Sequence, residues 1–134
     1  MTKVIALSSV TGGGKTTIVN ALMDRLPNAM ALYFDDYGFD ENVDYGKWLS
    51  GGGDYNEWDL TALKEDLLEV IENPHIDYIL LDYPFAYKNN QIKPYIDFAV
   101  YIDKQPFNFR GIKKGLPWQS FLRLNFFYYR QYHR

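Results

Sequence analysis

The sequence predicts a three-layer α/β domain on a parallel sheet of four strands, and three observations carry this. Four short apolar runs are separated, at two of the three intervals, by segments whose apolar residues recur at helical spacing. Strands alternating with helices imply a parallel sheet with right-handed crossovers. Two of the runs, moreover, end in aspartates, and in open α/β sheets the carboxyl ends of strands face the crevice where ligands bind.

The first run, Val4 to Ser8, reads as a buried strand and leads into S-V-T-G-G-G-K-T-T at Ser9 to Thr17. A helix follows from Gly14 or Lys15, with Ile18, Val19, Leu22 and Leu26 at helical spacing and Pro27-Asn28 as its stop. Ala29 to Phe34 is the second strand and ends in Asp35-Asp36-Tyr37. Residues 38–58 have no regular periodicity and contain Gly51-Gly52-Gly53, which fits a mobile substrate-covering loop and a plain surface connection equally. From Asp59, a candidate N-cap, a helix carries Leu60, Leu63, Leu67, Val70 and Ile71 on one face and ends at Pro74. Ile76 to Leu81 is the third strand, with Asp82 at its end. Phe98 to Ile102 is the fourth, after a loop holding Lys88, Lys93 and Pro94. Leu116 to Arg134 spaces Phe121, Leu124, Tyr128 and Tyr132 helically behind Pro117, which predicts a final helix.

The 134 residues, 47% hydrophobic, suit one domain with a proper core. The chain has no cysteine, which excludes disulfides and thiolate metal sites, and His75 and His133 lie too far apart in sequence to suggest a metal cluster. Any metal is therefore expected to be Mg²⁺ brought with a nucleotide. The amino terminus does not resemble a secretory signal, and no apolar stretch approaches the roughly 20 residues of a membrane span. A soluble, cytoplasmic protein without a membrane partner is the expectation. All 17 acidic residues lie at or before Asp103, whereas seven of the 14 Lys/Arg follow it, together with nine aromatic residues. That break divides a core, 1–103, from a basic aromatic segment, 104–134, which is either part of the same domain or an aberrant tail.

A strand leading through glycines and a lysine into a helix is a phosphate cradle. A chain wrapped around a triphosphate must point several backbone N–H groups inward, and Gly12, Gly13 and Gly14 can take the backbone angles this needs. Lys15 can then reach the β- and γ-phosphates, and the Thr16 hydroxyl is placed for Mg²⁺. Thr11 and Thr17 complete the candidate ATP-binding set. The full pattern G-x-x-x-x-G-K-[ST] has Ser9 in place of its first glycine. A guanine-reading N-K-x-D motif is absent, and Asp35-Asp36-Tyr37-Gly38 matches D-x-x-G only weakly. A small kinase needs a carboxylate that takes or orients the acceptor's proton. Asp35, closing the second strand, is placed for that, or else Asp35 and Asp36 start a turn. Asp82 sits where a carboxylate would bind Mg²⁺ directly or through water, although turn formation before Pro84 competes.

Taken together, V-I-A-L-S-S-V-T-G-G-G-K-T-T, Y-F-D-D-Y, D-Y-N-E-W-D-L and Y-I-L-L-D-Y-P-F resemble the uridine kinase-like group of P-loop nucleoside kinases over residues 3 to about 103. The resemblance implies the strand order 2-3-1-4, with Asp35 as the acceptor base contacting sugar hydroxyls and Tyr37 as its aromatic neighbour. Lys15 would be the catalytic cation, and Asp36 and Tyr83 would adjoin the acceptor. Asp54 to Asp59 resembles a later aspartate-containing motif of that group, one residue shorter and without its proline. Asp82 stands where glutamate is frequent. After Tyr101-Ile102-Asp103 the chain continues Lys104-Gln105-Pro106-Phe107, without the I-D-T-P element, the arginine-bearing lid helix or the fifth strand.

The expected function is ATP- and Mg²⁺-dependent phosphoryl transfer to a small-molecule hydroxyl acceptor, of nucleoside type. Arg110, Lys113 and Lys114 could supply lid cations, or the tail could be the product of truncation or another reading frame. Two further readings stay open: a nucleotide-binding, catalytically weak remnant, and, less favoured, a nucleic-acid partner using the basic tail. The tail's rings could equally close a core or a homo-oligomer contact.

Overall fold

The computed structural model describes residues 1–9 and 14–102. Strands β1 (Lys3–Ser9), β2 (Ala29–Tyr33), β3 (Tyr78–Asp82) and β4 (Phe98–Ile102) form one all-parallel sheet in the order β2-β3-β1-β4, the order 2-3-1-4 expected from the sequence. Helix α1 (Lys15–Arg25) connects β1 to β2, and helix α3 (Thr61–Ile71) lies between β2 and β3 with a shorter helix, α2 (Tyr45–Ser50), before it. Leu7 pairs with Asp82 and Tyr33 pairs with the same residue from the other side, so β2 and β3 end at one level, while β1 runs on to Ser9, level with Ile102 at the end of β4.

Successive side chains of a strand point to opposite faces, and here both faces are covered. Val4, Ala6, Ile79 and Leu81 pack with Leu63 and Leu67 of α3 on one face. Leu7 and Leu80 pack with Val19 of α1 and with Ile102 on the other, joined by Ile5, Ile18 and Leu22. The helical spacing read from the sequence thus marks the buried stripes of α1 and α3, and the two helices sandwich the sheet.

Element ends differ from the sequence reading in instructive ways. The third strand begins at Tyr78 rather than Ile76, because the Asn73 side chain accepts from His75 N (2.9 Å), the Asn73 carbonyl accepts from Ile76 N (3.2 Å), and Asp77 N donates back to Asn28 O (2.9 Å). The second strand stops at Tyr33. Phe34–Tyr37 then turns as a 3-10 helix that buries the Phe34 ring. Asp59 does not cap α3 from the N-cap position, which is Leu60; its carboxylate accepts from the backbone N–H of Thr61 (3.1 Å) and from the Thr61 hydroxyl.

Residues 38–58 are structured rather than an open loop. A 3-10 turn at Phe39–Asn42 is followed by α2, whose N-cap Asp44 accepts from Lys47 N (3.1 Å), and by a 3-10 turn at Tyr55–Glu57 introduced by Asp54, which accepts from Asn56 N (2.9 Å). The Trp48 indole N–H donates to the Asp54 carbonyl at 2.7 Å, closing Gly51-Gly52-Gly53 into a compact return. Gly52 and Gly53 have φ of 105° and 65°, left-handed values that glycine adopts without the Cβ penalty.

The readings for Thr11, Gly12 and Gly13, for Arg110, Lys113 and Lys114, and for the helix over Leu116 to Arg134 lie outside the described residues. Among the described residues, no helix is long and apolar enough to cross a membrane.

Leu67 is wholly buried beneath α3, whereas Glu69 on the same helix is exposed. Leu67→Ala is expected to destabilise the domain by about 2–5 kcal/mol, and Glu69→Ala by less than about 0.5 kcal/mol, in urea unfolding. Equal midpoints for the two variants would contradict this packing.

Candidate functional site

Helix α1 starts at Lys15, and its N-cap is Gly14 at φ 81°, ψ 18°, in the left-handed region. A Cβ at Gly14 would meet nothing within 4 Å among the described residues, and the backbone angle itself calls for glycine here. The next two residues both face the end of β3. Lys15 Nζ lies 2.9 Å from Asp82 Oδ1, and the Thr16 hydroxyl donates to Asp82 Oδ2 at 2.6 Å. Both oxygens of one carboxylate, itself only 4% exposed, are therefore engaged by consecutive residues of the helix start. The neighbouring backbone is fixed too: the buried Ser8 hydroxyl donates to Tyr83 O at 2.7 Å, and Tyr83 N donates to Leu7 O at 3.1 Å. Sequence reasoning assigned Lys15, Thr16 and Asp82 to one site, and the fold brings them together. Thr17 is exposed in the first turn of α1.

The four residues assigned to the acceptor side separate. Asp35 and Asp36 are exposed in the 3-10 turn that follows β2, one strand away from Asp82. Tyr37 stacks on Phe39 at 5.3 Å and donates its hydroxyl to Asp66 on α3 at 2.6 Å. Burial, reinforced by that hydrogen bond and by the charges of Asp66 and Asp36, raises the Tyr37 pKa well above the ordinary phenol value. Tyr83 lies inside the core with its ring edge-on to Phe34 (6.2 Å) and Phe85 (5.5 Å), fully buried, rather than open to an acceptor. Its hydroxyl has no hydrogen-bond partner among the described residues, and burial raises its pKa strongly.

What the sequence reading missed is the aromatic wall beside this site. Phe34 packs on Phe39, Trp58 and Phe85 at 5.0, 6.0 and 5.3 Å, and Tyr45 of α2 packs on Trp58 at 5.6 Å. Burial, then the charges of Asp40 and Asp35, raise the Tyr45 pKa above the ordinary phenol value. A wholly buried Asn89 ties the loop after β3 to the wall. Its amide donates to the carbonyls of Tyr55 (2.9 Å) and Trp58 (3.1 Å) and its oxygen accepts from Gln91 N (2.9 Å). Gln91 Oε1 in turn accepts from Leu60 N at 2.6 Å. The signal in the sequence was the pairing of an aromatic-rich stretch, 45–58, with the amide run Asn89-Asn90-Gln91, which no periodicity argument weighs. An open cavity of about 590 Å³ adjoins the wall, lined in part by Tyr37, Phe39, Trp58 and Thr61.

Among the described residues, no group of three or more histidine or acidic side chains could hold a metal ion. Thr16 and Asp82 nevertheless suit Mg²⁺ brought by a phosphate ligand, since that ion is held through one or two carboxylates, waters and phosphate oxygens rather than in an all-protein cage. No family model matches this chain, no curated protein matches it, and no solved structure matches it.

Two outcomes follow from this geometry. Gly14→Ala must hold a non-glycine residue at φ 81° and is expected to cost more than about 1 kcal/mol in thermal unfolding, with no clash to relieve. Tyr83→Phe removes a buried hydroxyl that lacks a partner, so stability at pH 7 should be retained to within about 1 kcal/mol or rise. Because the folded pKa of Tyr83 exceeds its ordinary value of 10.0, the neutral hydroxyl's contribution is complete below pH 10 and is lost above it. The alkaline loss of stability should therefore be smaller in Tyr83→Phe, as read by circular dichroism between pH 9 and pH 11.

Proposed function

We propose that this chain is an ATP- and Mg²⁺-dependent phosphotransferase of the P-loop nucleoside kinase type, acting on the hydroxyl of a small molecule such as a nucleoside. One observation carries the reading. A lysine and a hydroxyl at the start of α1, behind a left-handed glycine, both engage a buried aspartate at the carboxyl end of a central parallel strand. The glycine-rich segment before Lys15 and the resemblance of residues 3 to about 103 to uridine kinase-like enzymes support it.

In this reading the positive end of α1 and the Lys15 ammonium bind the β- and γ-phosphates. Thr16 and Asp82 would hold the metal, which would supply positive charge against the phosphoryl oxygens. Asp35, exposed at the end of β2, takes or orients the proton of the acceptor hydroxyl.

An ADP-release screen over nucleosides and related small alcohols tests the proposal. Turnover should require one acceptor, fall about 10²- to 10⁴-fold in Asp35→Asn, and be lost in Lys15→Ala with a parallel fall in ATP affinity. Nucleotide binding without turnover over the whole panel would remove the kinase reading, and an unchanged rate in Asp35→Asn would remove that residue's role.

A further inference from the structure

We propose that the cavity walled by Tyr37, Phe39 and Trp58 is a binding site for a small organic cation, an amine or a quaternary ammonium compound. None of Lys15, Thr16 and Asp82 lines it, so the site is additional to the one described above and does not depend on phosphoryl transfer.

The walls fix the class of ligand. The cavity holds about 590 Å³, the size of a small-molecule site, and Glu57, Asp59 and Glu65 share its lining with the three rings. Among the described residues no lysine or arginine lines it, and no ion pair engages any of the three acids. Hydrogen bonds from the Thr61 hydroxyl, the Thr61 backbone N–H and Gln91 hold the Asp59 carboxyl below the ordinary carboxylate range, so it is charged at neutral pH. The surroundings reinforce that sign, because residues 34–66 carry ten acidic side chains and only two lysines. An anion is repelled from such a cavity and a cation is drawn to it.

A metal ion does not suit the site. Among the described residues no three acidic or histidine side chains converge closely enough to hold one, and a compact hydrated ion would leave the rings unused. An organic cation spreads its charge over an alkylated surface, so it can face carboxylates that do not converge and lie against the aromatic walls. The start of α3 would oppose a cation, since a helix N-terminus is positive, but here that end is already covered. Asp59 accepts from Thr61 N at 3.1 Å, and Gln91 Oε1 accepts from Leu60 N at 2.6 Å.

Trp58 supplies an independent sign of a ligand. The residue is 3% exposed, and its buried indole N–H has no partner among the described residues. An unpaired donor in a residue of the cavity wall calls for a water or a ligand oxygen to complete it, which favours a cation that also bears a hydroxyl.

Choline and its uncharged analogue, in which a tert-butyl group replaces trimethylammonium, test this, because the two alcohols match in shape and differ in charge. In titrations followed by the NMR signals of the indole N–H groups, choline should bind the full chain at least about tenfold more tightly than the analogue. Raising sodium chloride from about 50 to about 500 mM should weaken choline severalfold and not the analogue. The double variant Glu57→Gln, Glu65→Gln changes two exposed side chains and should bring choline close to the analogue, whose own affinity should not change. Equal binding of the two alcohols by the wild type, no shift with choline at about 50 mM, or an undiminished preference in the double variant would each overturn the proposal and leave the nucleotide reading untouched. Should the double variant fail to fold, the salt titration of the wild type decides the role of charge: a choline affinity indifferent to salt overturns it.

Discussion

The arrangement depends on a single buried carboxylate. Asp82 closes a strand flanked on both sides by hydrogen-bonded neighbours, so its backbone cannot move without disturbing β1 and β2 together. Its side chain takes Lys15 on one oxygen and Thr16 on the other, which fixes the start of α1 over the end of β3. An isolated charge at that depth would be costly, and a paired one is roughly neutral for stability. The interaction is better understood as a positional constraint than as a source of stability. It sets where the helix begins, and hence where the free N–H groups of its first turn point.

A second constraint shapes the ground beside the site. The return from β2 to α3 could have been a loose connection, but its rings join Phe34 and Phe85 from the strand ends, so the wall grows out of the sheet. Asn89 then satisfies the carbonyls of Tyr55 and Trp58, which the aromatic packing buries away from water. Burying such carbonyls unpaired would cost about 1–3 kcal/mol each, so the amide is what permits the wall to be dense. Two polar atoms, the Trp58 indole N–H and the Tyr83 hydroxyl, have no partner among the described residues. Their apolar surroundings hold Tyr83 neutral far into the alkaline range.

The sheet was legible in the sequence because its signals are local and strong. Ile79-Leu80-Leu81 and Val4-Ile5-Ala6-Leu7 are apolar on both faces, as strands covered on both sides must be, and α1 and α3 show clear 3.6-residue stripes. Lys15, Thr16 and Asp82 were legible because a glycine-to-lysine turn into a helix and an acid at a strand end have defined places in a parallel sheet. The segment 38–58 was not. Helix α2 has six residues, too few to display a period, and its stability comes from Trp48 reaching Trp58 and Asp54, contacts that sequence spacing does not encode. Tyr83 was misleading for a related reason. It follows the strand that carries Asp82, but its ring continues the core face rather than turning toward the crevice.

The choice of aspartate at position 82 is part of the same geometry. A glutamate there would preserve the charge but not the reach. With the short side chain, the carboxylate stays close to the strand, where Thr16, itself a short side chain, can donate to it at 2.6 Å. A longer acid would push the oxygens outward, toward Lys15 and solvent, and would break the approach of the threonine hydroxyl. The aspartate therefore keeps its carboxylate at the buried strand end, with only 4% of the side chain exposed. Lys15 must extend inward to meet it, and its side chain is only 17% exposed although the residue opens a helix. Depth at Asp82, the reach of Lys15 and the left-handed turn at Gly14 are thus one solution to a single requirement: to bring a helix start down onto a buried charge.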